Sequence, residues 1–450
     1  MSPAEDYSEF RQGWRVVFAS LVGIGLGLSP VPFYTIGMLA PELARAFHWP
    51  FGKIMGGLTV TSLTVLIASP VVGLLADRFG VRKVALTSIV LFGCAFASFS
   101  LTQGSLPLFY LTWGAVALGG AGTLPITWTR VVNNWFDVRK GLALGLSLLG
   151  TGLFGFFIKP ICAWLIAHEG WRATYLVIGA MPLTISLPIA FFFFHDVGER
   201  TPRSGTPGTG TSRSETPSVA TQGIDPIVPG MSFAGALRDW RFWVLAVAFV
   251  PISFALGGPI PNMENILATH GFDKPNIATL VPFIGLSVIA GRIIGGWLID
   301  RIWAPGVAFV LLSLPAISCW LLAHGPIDHR TALLCIALIG FAAGVEYDLM
   351  AFLVARYFGM RSYATIYGTL YGCFALGAGV GPLLFGNAFD KTHSYSHMLV
   401  VSCVILVAAA LMLLTLGRYR RFGPDPLPLS GTAPPFYTAA PAPGRTQANM

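Results

Sequence analysis

Charged side chains are scarce in this sequence: Asp, Glu, Lys and Arg make up 11% of its 450 residues, against 54% hydrophobic ones. A water-soluble chain carries roughly a quarter charged residues, so that class is excluded. Paired cysteines are lacking too. Cys94, Cys162, Cys319, Cys335, Cys373 and Cys403 all fall in apolar segments and none has CxxC spacing, which points to apolar packing and away from disulfides or a thiolate metal site. No GxxxxGK[ST] loop, HExxH helix or GxSxG elbow occurs, so nucleotide hydrolysis and hydrolase chemistry lack their residues, and no enzyme activity, cofactor or metal is expected. The first thirteen residues are polar, and the apolar run after them is too long for a cleaved leader.

What is abundant is long apolar runs. A helix needs about 20 residues to cross roughly 30 Å of hydrocarbon, and twelve such runs can be marked, approximately 14–38, 54–76, 84–103, 107–129, 141–165, 171–194, 241–263, 276–299, 306–324, 331–355, 363–388 and 396–417. Barrel strands would alternate over about ten residues, whereas "LALGLSLLGTGLFGFF" is continuously apolar. The expected fold class is an all-α membrane protein of twelve transmembrane helices.

With the N-terminus inside, twenty of the 28 basic residues fall on the inner side, six on the outer, and Lys159 and Arg292 inside helices. The positive-inside rule then places both termini in the cytoplasm of a multi-pass plasma or inner membrane protein. The basic loops face anionic lipid, and no nucleic-acid partner is indicated. Between the sixth and seventh runs, residues 195–240 hold a Pro/Gly/Ser/Thr tract with too little apolar surface to order itself, and the tail 418–450 has the same character. The domains are thus a short N-terminus (1–13), a six-helix half (14–194), the linker, a second half (241–417) and the tail.

The halves echo each other. "GLLADR" (73–78) recurs as "GWLIDR" (296–301) at an offset of 223, while "WFDVRK" (135–140) and "YFGMRS" (357–362), like Pro160 and Pro382, keep an offset of 222. Duplicated six-helix units are a transporter plan, with the ligand near the midplane between the halves.

"GLLADRFGVRK" resembles the signature loop of the major facilitator superfamily, G-x-x-x-D-R-x-G-x-R-K/R, through Gly73, Asp77, Arg78, Gly80, Arg82 and Lys83. Gly73 suits the close approach of a neighbouring helix, and Asp77 can meet a helix N-terminus or an arginine. Simple positive-inside anchoring would explain the basic residues alone. The resemblance implies rocking between inward- and outward-open states, with this loop, its second copy Gly296, Asp300 and Arg301, and Arg139 gating the cytoplasmic side.

A narrower resemblance is to the monocarboxylate porter family, close to the oxalate–formate antiporters. It is carried by "WFDVRKGLALGLSLLGTG" (135–152), by "GWRVV" (13–17) and by an arginine in helix eight. The resemblance implies a small organic anion as substrate and H+ as its companion. The pattern departs where animal members carry an Asp one turn before that arginine (here Val288), a Lys in helix one (here the region of Pro32 and Tyr34) and, in oxalate-type relatives, a Lys in helix eleven (here near Phe374). One fixed cation favours a monovalent acid.

Arg292 has no counterpart in the first half, where the residue 223 earlier is Ser69. A mid-membrane arginine is costly and usually faces a watery cavity, where its planar fork suits a carboxylate. The alternative is a packing salt bridge to an acid of helix ten. Those acids are Glu346 and Asp348, two residues apart and hence about 200° around a helix, so one should face the cavity and the other a neighbour. Either can carry the coupled proton, held when substrate occupies Arg292 and released when the arginine is free. Lys159 reads as a lysine snorkelling to the outer interface or as a second anion contact. Tyr34, Tyr367 and Tyr371 offer hydroxyls to a substrate or simply pack.

The expectation is a monomeric secondary transporter working by alternating access, with a monocarboxylate and a proton as cargo. Rival readings are a drug or siderophore transporter of the same fold, a dicarboxylate/monocarboxylate antiporter, and a non-transporting membrane sensor.

Overall fold

A computed structural model of the chain describes residues 3–136, 140–195, 230–359 and 361–420. In the first half the helices are α1 (Pro3–Gly25), α2 (Pro30–Phe47), α3 (Phe51–Phe79), α4 (Val81–Ala97), α5 (Leu106–Gly120), α6 (Pro125–Trp135), α7 (Lys140–His168), α8 (Gly170–Met181) and α9 (Leu187–Phe193). The second half has α10 (Phe233–Arg238), α11 (Trp240–Gly257), α12 (Pro259–Thr269), α13 (Lys274–Leu280), α14 (Phe283–Arg301), α15 (Ala304–Ala323), α16 (His329–Phe358), α17 (Tyr363–Thr392) and α18 (Ser396–Leu414). Among the described residues, eleven stretches are long and apolar enough to cross a membrane. The expected run 107–129 is the α5–α6 pair, divided by a 3-10 turn at Ala121–Thr123.

Helix is the form that satisfies every backbone N–H and C=O within hydrocarbon. Where the crossings break, side chains take over. The Leu28 N–H, in the gap between α1 and α2, donates to Thr123 Oγ1 at 2.9 Å, so the breaks in the first and fourth crossings satisfy each other. Several crossings run beyond the apolar runs that mark them. The first continues through α2 to Phe47, and the seventh continues through α12 to Thr269, which places Glu264 inside a helix. The duplication survives in detail, since Pro160 lies within α7 and Pro382 within α17.

Most of the linker and the tail beyond 420 lie outside the described residues. The last ten residues of the expected disordered linker are nonetheless structured. The Met231 N–H donates to the Phe358 carbonyl at 2.8 Å, Ser232 caps α10, and Asp239 pairs with Arg420 at 2.8 Å. Those polar partners, supplied by α16 and the segment after α18, hold what its own composition could not.

The halves meet mainly toward the end of the bundle away from the chain termini, the far end. Here α3 lies along α17, α7 along α14 and α2 along α12. The α3–α17 seam opens on Asp390, whose carboxylate accepts the Phe51 and Gly52 N–H groups at 2.7 Å each. One half thus caps a helix N-terminus of the other. Farther along, Thr59 Oγ1 donates to the Gly379 carbonyl at 2.6 Å. Toward the terminal end the same helices separate: a Cβ at Gly73, Gly145, Gly296 or Gly368 would meet nothing within 4 Å. The bundle is closed at the far end and open at the end carrying the termini.

Candidate functional site

Helices α14 and α16 pack through glycine from both sides. Gly291 and Gly295 face Phe341 and Val345, while Gly340 and Gly344 face Ile284 and Val288. Each glycine pair is one turn apart, so small residues form a stripe that lets the two backbones touch. Val288, where the resemblance to animal monocarboxylate porters would put an acid, is part of that seam and 3% exposed.

The seam brings Arg292 against the acids of α16. Arg292 Nη1 donates to Asp348 Oδ1 at 3.1 Å, with the two side chains 8% and 29% exposed. Glu346 is buried, and its Oε2 has no hydrogen-bond partner among the described residues. Both carboxyls nonetheless lie within electrostatic reach of Arg292. Asp348 is the more exposed of the two acids and Glu346 the buried one, and the long Arg292 side chain bonds the first while its charge reaches the second. Arg292 Nε is likewise without a partner, so the fork keeps donors beyond the one Asp348 uses.

Aromatic rings wall the site. The Arg292 guanidinium carbon lies 6.0 Å from the Tyr347 ring, and Tyr347 packs on Phe374 at 4.6 Å and near Tyr371 at 6.1 Å. Tyr363, Tyr367, Tyr371 and Phe374 recur on one face of α17, with neighbouring centroids 5.7, 6.3 and 6.0 Å apart. This ladder runs from the terminal end of α17 to the arginine. The structure thus brings Tyr367 and Tyr371 to Arg292 and the α16 acids and adds Tyr347 of α16 together with Tyr363 and Phe374 of α17, which continue the three- and four-residue spacing of Tyr367 and Tyr371.

Tyr34 joins from the first half. It is buried, close enough to feel the charges of Arg292 and Glu346, and its ring lies flush on Gly155 of α7. One turn farther along α7 is Lys159, and here the snorkelling reading fails. Lys159 is 1% exposed and ion-paired with Glu264 of α12, itself 5% exposed. Because α7 continues to His168, Lys159 is too deep to reach the interface, and the other half supplies a counter-ion. Glu264 was missed because the apolar run of the seventh crossing ends at Met263, which hid the acid at an apparent helix end.

The residues expected to gate lie toward the open end. Arg82 Nη2 donates to the Phe191 carbonyl at 2.6 Å, Arg78 lies over Phe79 at 5.5 Å, and Arg301 lies over Trp297 at 4.3 Å. Lys83 is exposed, and Gly80 ends α3 with φ 89°, a left-handed value natural to glycine. The close helix approach expected at Gly73, and by symmetry at Gly296, is not made in this conformation because the halves part there. The side chains of Asp77 and Asp300, and Arg139 altogether, lie outside the described residues.

The family model of the Major Facilitator Superfamily matches residues 16–382. Monocarboxylate transporter 13 of Bos taurus is 26% identical over 414 residues, covering 90% of each chain. Monocarboxylate transporter 11 of Homo sapiens is 25% identical over 90% of this chain and 83% of its own, and the uncharacterized MFS-type transporter YhjX of Escherichia coli K12 is 26% identical over 78% and 81%. Among solved structures, a bacterial homolog of the human lysosomal transporter Spinster, inward-facing and occupied, aligns with TM-score 0.63 at 16% identity over 92% of this chain and 97% of that one. A family match across most of the chain, on an all-helical bundle closed at one end around buried charge, leads to one conclusion: the chain belongs to the Major Facilitator Superfamily of transporters.

Proposed function

We propose that the protein is a secondary transporter that moves a small monocarboxylate together with a proton by alternating access. The observation that carries this reading is Arg292: a membrane-depth guanidinium singly bonded to Asp348, with Nε unpartnered among the described residues and an aromatic wall beside it. Such a fork is geometrically matched to a carboxylate. The ladder from Tyr363 to Phe374 suits an acid with an apolar or aromatic body, which slides along rings while its charge is drawn inward. The names of the relatives, monocarboxylate transporters among them, point the same way at low identity.

In this reading substrate displaces the Asp348 contact and takes the fork. Of the two acids, Glu346 is the one that Arg292 does not bond directly, and we assign it the proton. Lys159 serves as a second anion contact, and Tyr34 contributes from the first half. The basic loops put the termini and the open end in the cytoplasm, so the conformation is inward-open, and the Asp77–Arg78 and Asp300–Arg301 loops re-form their contacts when that side closes.

The test is uptake of labelled mono- and dicarboxylates into proteoliposomes, with and without an inward proton gradient. Accumulation of one monocarboxylate that collapses with the gradient is the expected result. Failure of every carboxylate would sink the reading. Gradient-independent exchange would remove the proton and leave an antiporter. The aromatic ladder also suits an amphipathic drug, and in that case Arg292→Ala leaves transport intact.

A further inference from the structure

Lys159 and Glu264 belong to different halves. Lys159 sits on α7, Glu264 on α12, and their side chains form a buried ion pair that closes the far end of the cavity. Gly37 of α2 makes the approach possible, since a Cβ there would strike Glu264 and the Pro261 carbonyl. Glu264 Oε2 is buried with no hydrogen-bond partner among the described residues. The titratable groups near the pair are Cys162 from α7 and, behind Asn262 and Asn265, Tyr395 with Asp390 beyond it. Neither Cys162 nor Tyr395 is a cation that could replace Lys159.

Opening the far end must draw α7 and α12 apart. Each partner is then left charged and unpaired in a low-dielectric interior, which is far more costly than keeping the pair. Both costs vanish only if Lys159 receives an anion and Glu264 receives a proton. We infer that Lys159–Glu264 is a loading pair, with Glu264 a proton site separate from the acids of α16 and acting as an internal stand-in for the substrate carboxylate on Lys159. This rests on the monocarboxylate reading for the identity of the anion, but not for the proton. The proton is taken from the water that enters at the far end. On closure, Glu264 returns to Lys159 and gives its proton to the water of the central cavity, while the anion passes beyond Tyr34, which rests one turn below Lys159 on Gly155, to Arg292. One anion and one proton must therefore enter together.

The test is the far-end distance between spin labels on Gln103→Cys and His397→Cys, in a chain with its six native cysteines replaced, reconstituted in bilayers and titrated with pH and lactate. In the parent chain the far end should open only with acid and lactate together. Glu264→Gln should open with lactate at any pH. Lys159→Gln should open without lactate and gain nothing from acidification, because no cation then holds Glu264 ionised in the closed state and opening takes up no proton. The double variant, which leaves no bare charge and guards against misfolding of either single one, should ignore both. If lactate moves neither the parent nor Glu264→Gln while Lys159→Gln opens without it, the pair stands and the monocarboxylate assignment falls. A Glu264→Gln chain that keeps the parent's pH dependence, or four chains that respond alike, would overturn the proposal.

Discussion

Two buried ion clusters lie a few turns apart in this bundle and are built on opposite principles. Arg292, Asp348 and Glu346 all come from the second half, on α14 and α16, helices fused by reciprocal glycines. Lys159 and Glu264 come from opposite halves and meet only because the far end is closed. When two halves rock, a cluster within one of them travels unchanged, whereas a pair between them must break. The first therefore has the permanence a binding site needs, and the second has the conditional stability a gate needs. Sequence separation reflects the same division: 56 residues link Arg292 to Asp348 and 105 link Lys159 to Glu264.

The comparison breaks first at Arg292. Truncating one partner of a buried charged contact costs about 2–5 kcal/mol, so Arg292→Ala should lower carboxylate uptake by roughly 30-fold to a few thousand-fold, since each 1.4 kcal/mol is roughly tenfold. Arg292→Lys keeps the charge without the fork and should lose about tenfold. Uptake by equal amounts of reconstituted, monodisperse protein measures both. An alanine variant with parental uptake would make the arginine a packing residue and dissolve the distinction between the clusters.

A second pair of variants separates permanence from conditionality. Gly344→Leu drives a side chain into the Val288 backbone within one half. Overpacking of this kind costs about 1–3 kcal/mol, and it should lower the thermal midpoint and uptake together. Gly37→Leu pushes instead at Pro261 and Glu264 across the halves. That strain is relieved by opening, so it should shift the far end open while leaving the thermal midpoint nearly unchanged. Melting curves beside label distances decide this, and equal loss of stability in both variants would contradict it.

The fold was legible because every crossing announces itself by length and apolarity and the duplication by its fixed offset. Arg292, Glu346, Asp348 and the tyrosines could be named because charge or ring within an apolar run is conspicuous. The partner of Lys159 could not be named. Glu264 follows the last apolar residue of its run, so hydropathy ended the helix at Met263, six residues before Thr269, although its last turns can bury an acid when another half provides its cation. Which of the two acids on α16 bonds Arg292 also escaped sequence reasoning, since angular spacing tells where side chains leave a helix and not how far a guanidinium reaches. The state of the gate was invisible for a different reason: one sequence supports both conformations, and only coordinates show Gly73 and Gly296 facing empty space.

Weaker cross-half contacts sharpen the comparison by degree. Asp390 caps two N–H groups of α3, and charged hydrogen bonds are worth about 1.5–3 kcal/mol each where water does not replace them. The N-terminus of α3 gains water on opening, so Asp390→Ala should cost the closed far end about 1.5 kcal/mol, a roughly tenfold shift of the open-to-closed ratio in the same label measurement. An unchanged ratio would place the closing force deeper, at Lys159.

The smallest effect belongs to Lys274 and Glu42. This contact also joins the halves, α13 to α2, at 3.9 Å, but the Lys274 side chain is 83% exposed and Arg45 pairs with the same Glu42 oxygen. An ion pair held in water gains little, about 0.5 kcal/mol or less, and the competing arginine lowers that further. Lys274→Ala should therefore shift the far-end ratio less than about threefold, and the shift should vanish between roughly 0.1 M and 1 M salt as the screening length falls from about 10 Å to 3 Å. The Lys159–Glu264 pair, sealed from counter-ions, should not respond to that change at all. Salt therefore separates the two cross-half pairs without a mutation. A far end that springs open in high salt would mean that exposed charge at the rim holds the halves together, and the buried pair would lose its claim to be the gate.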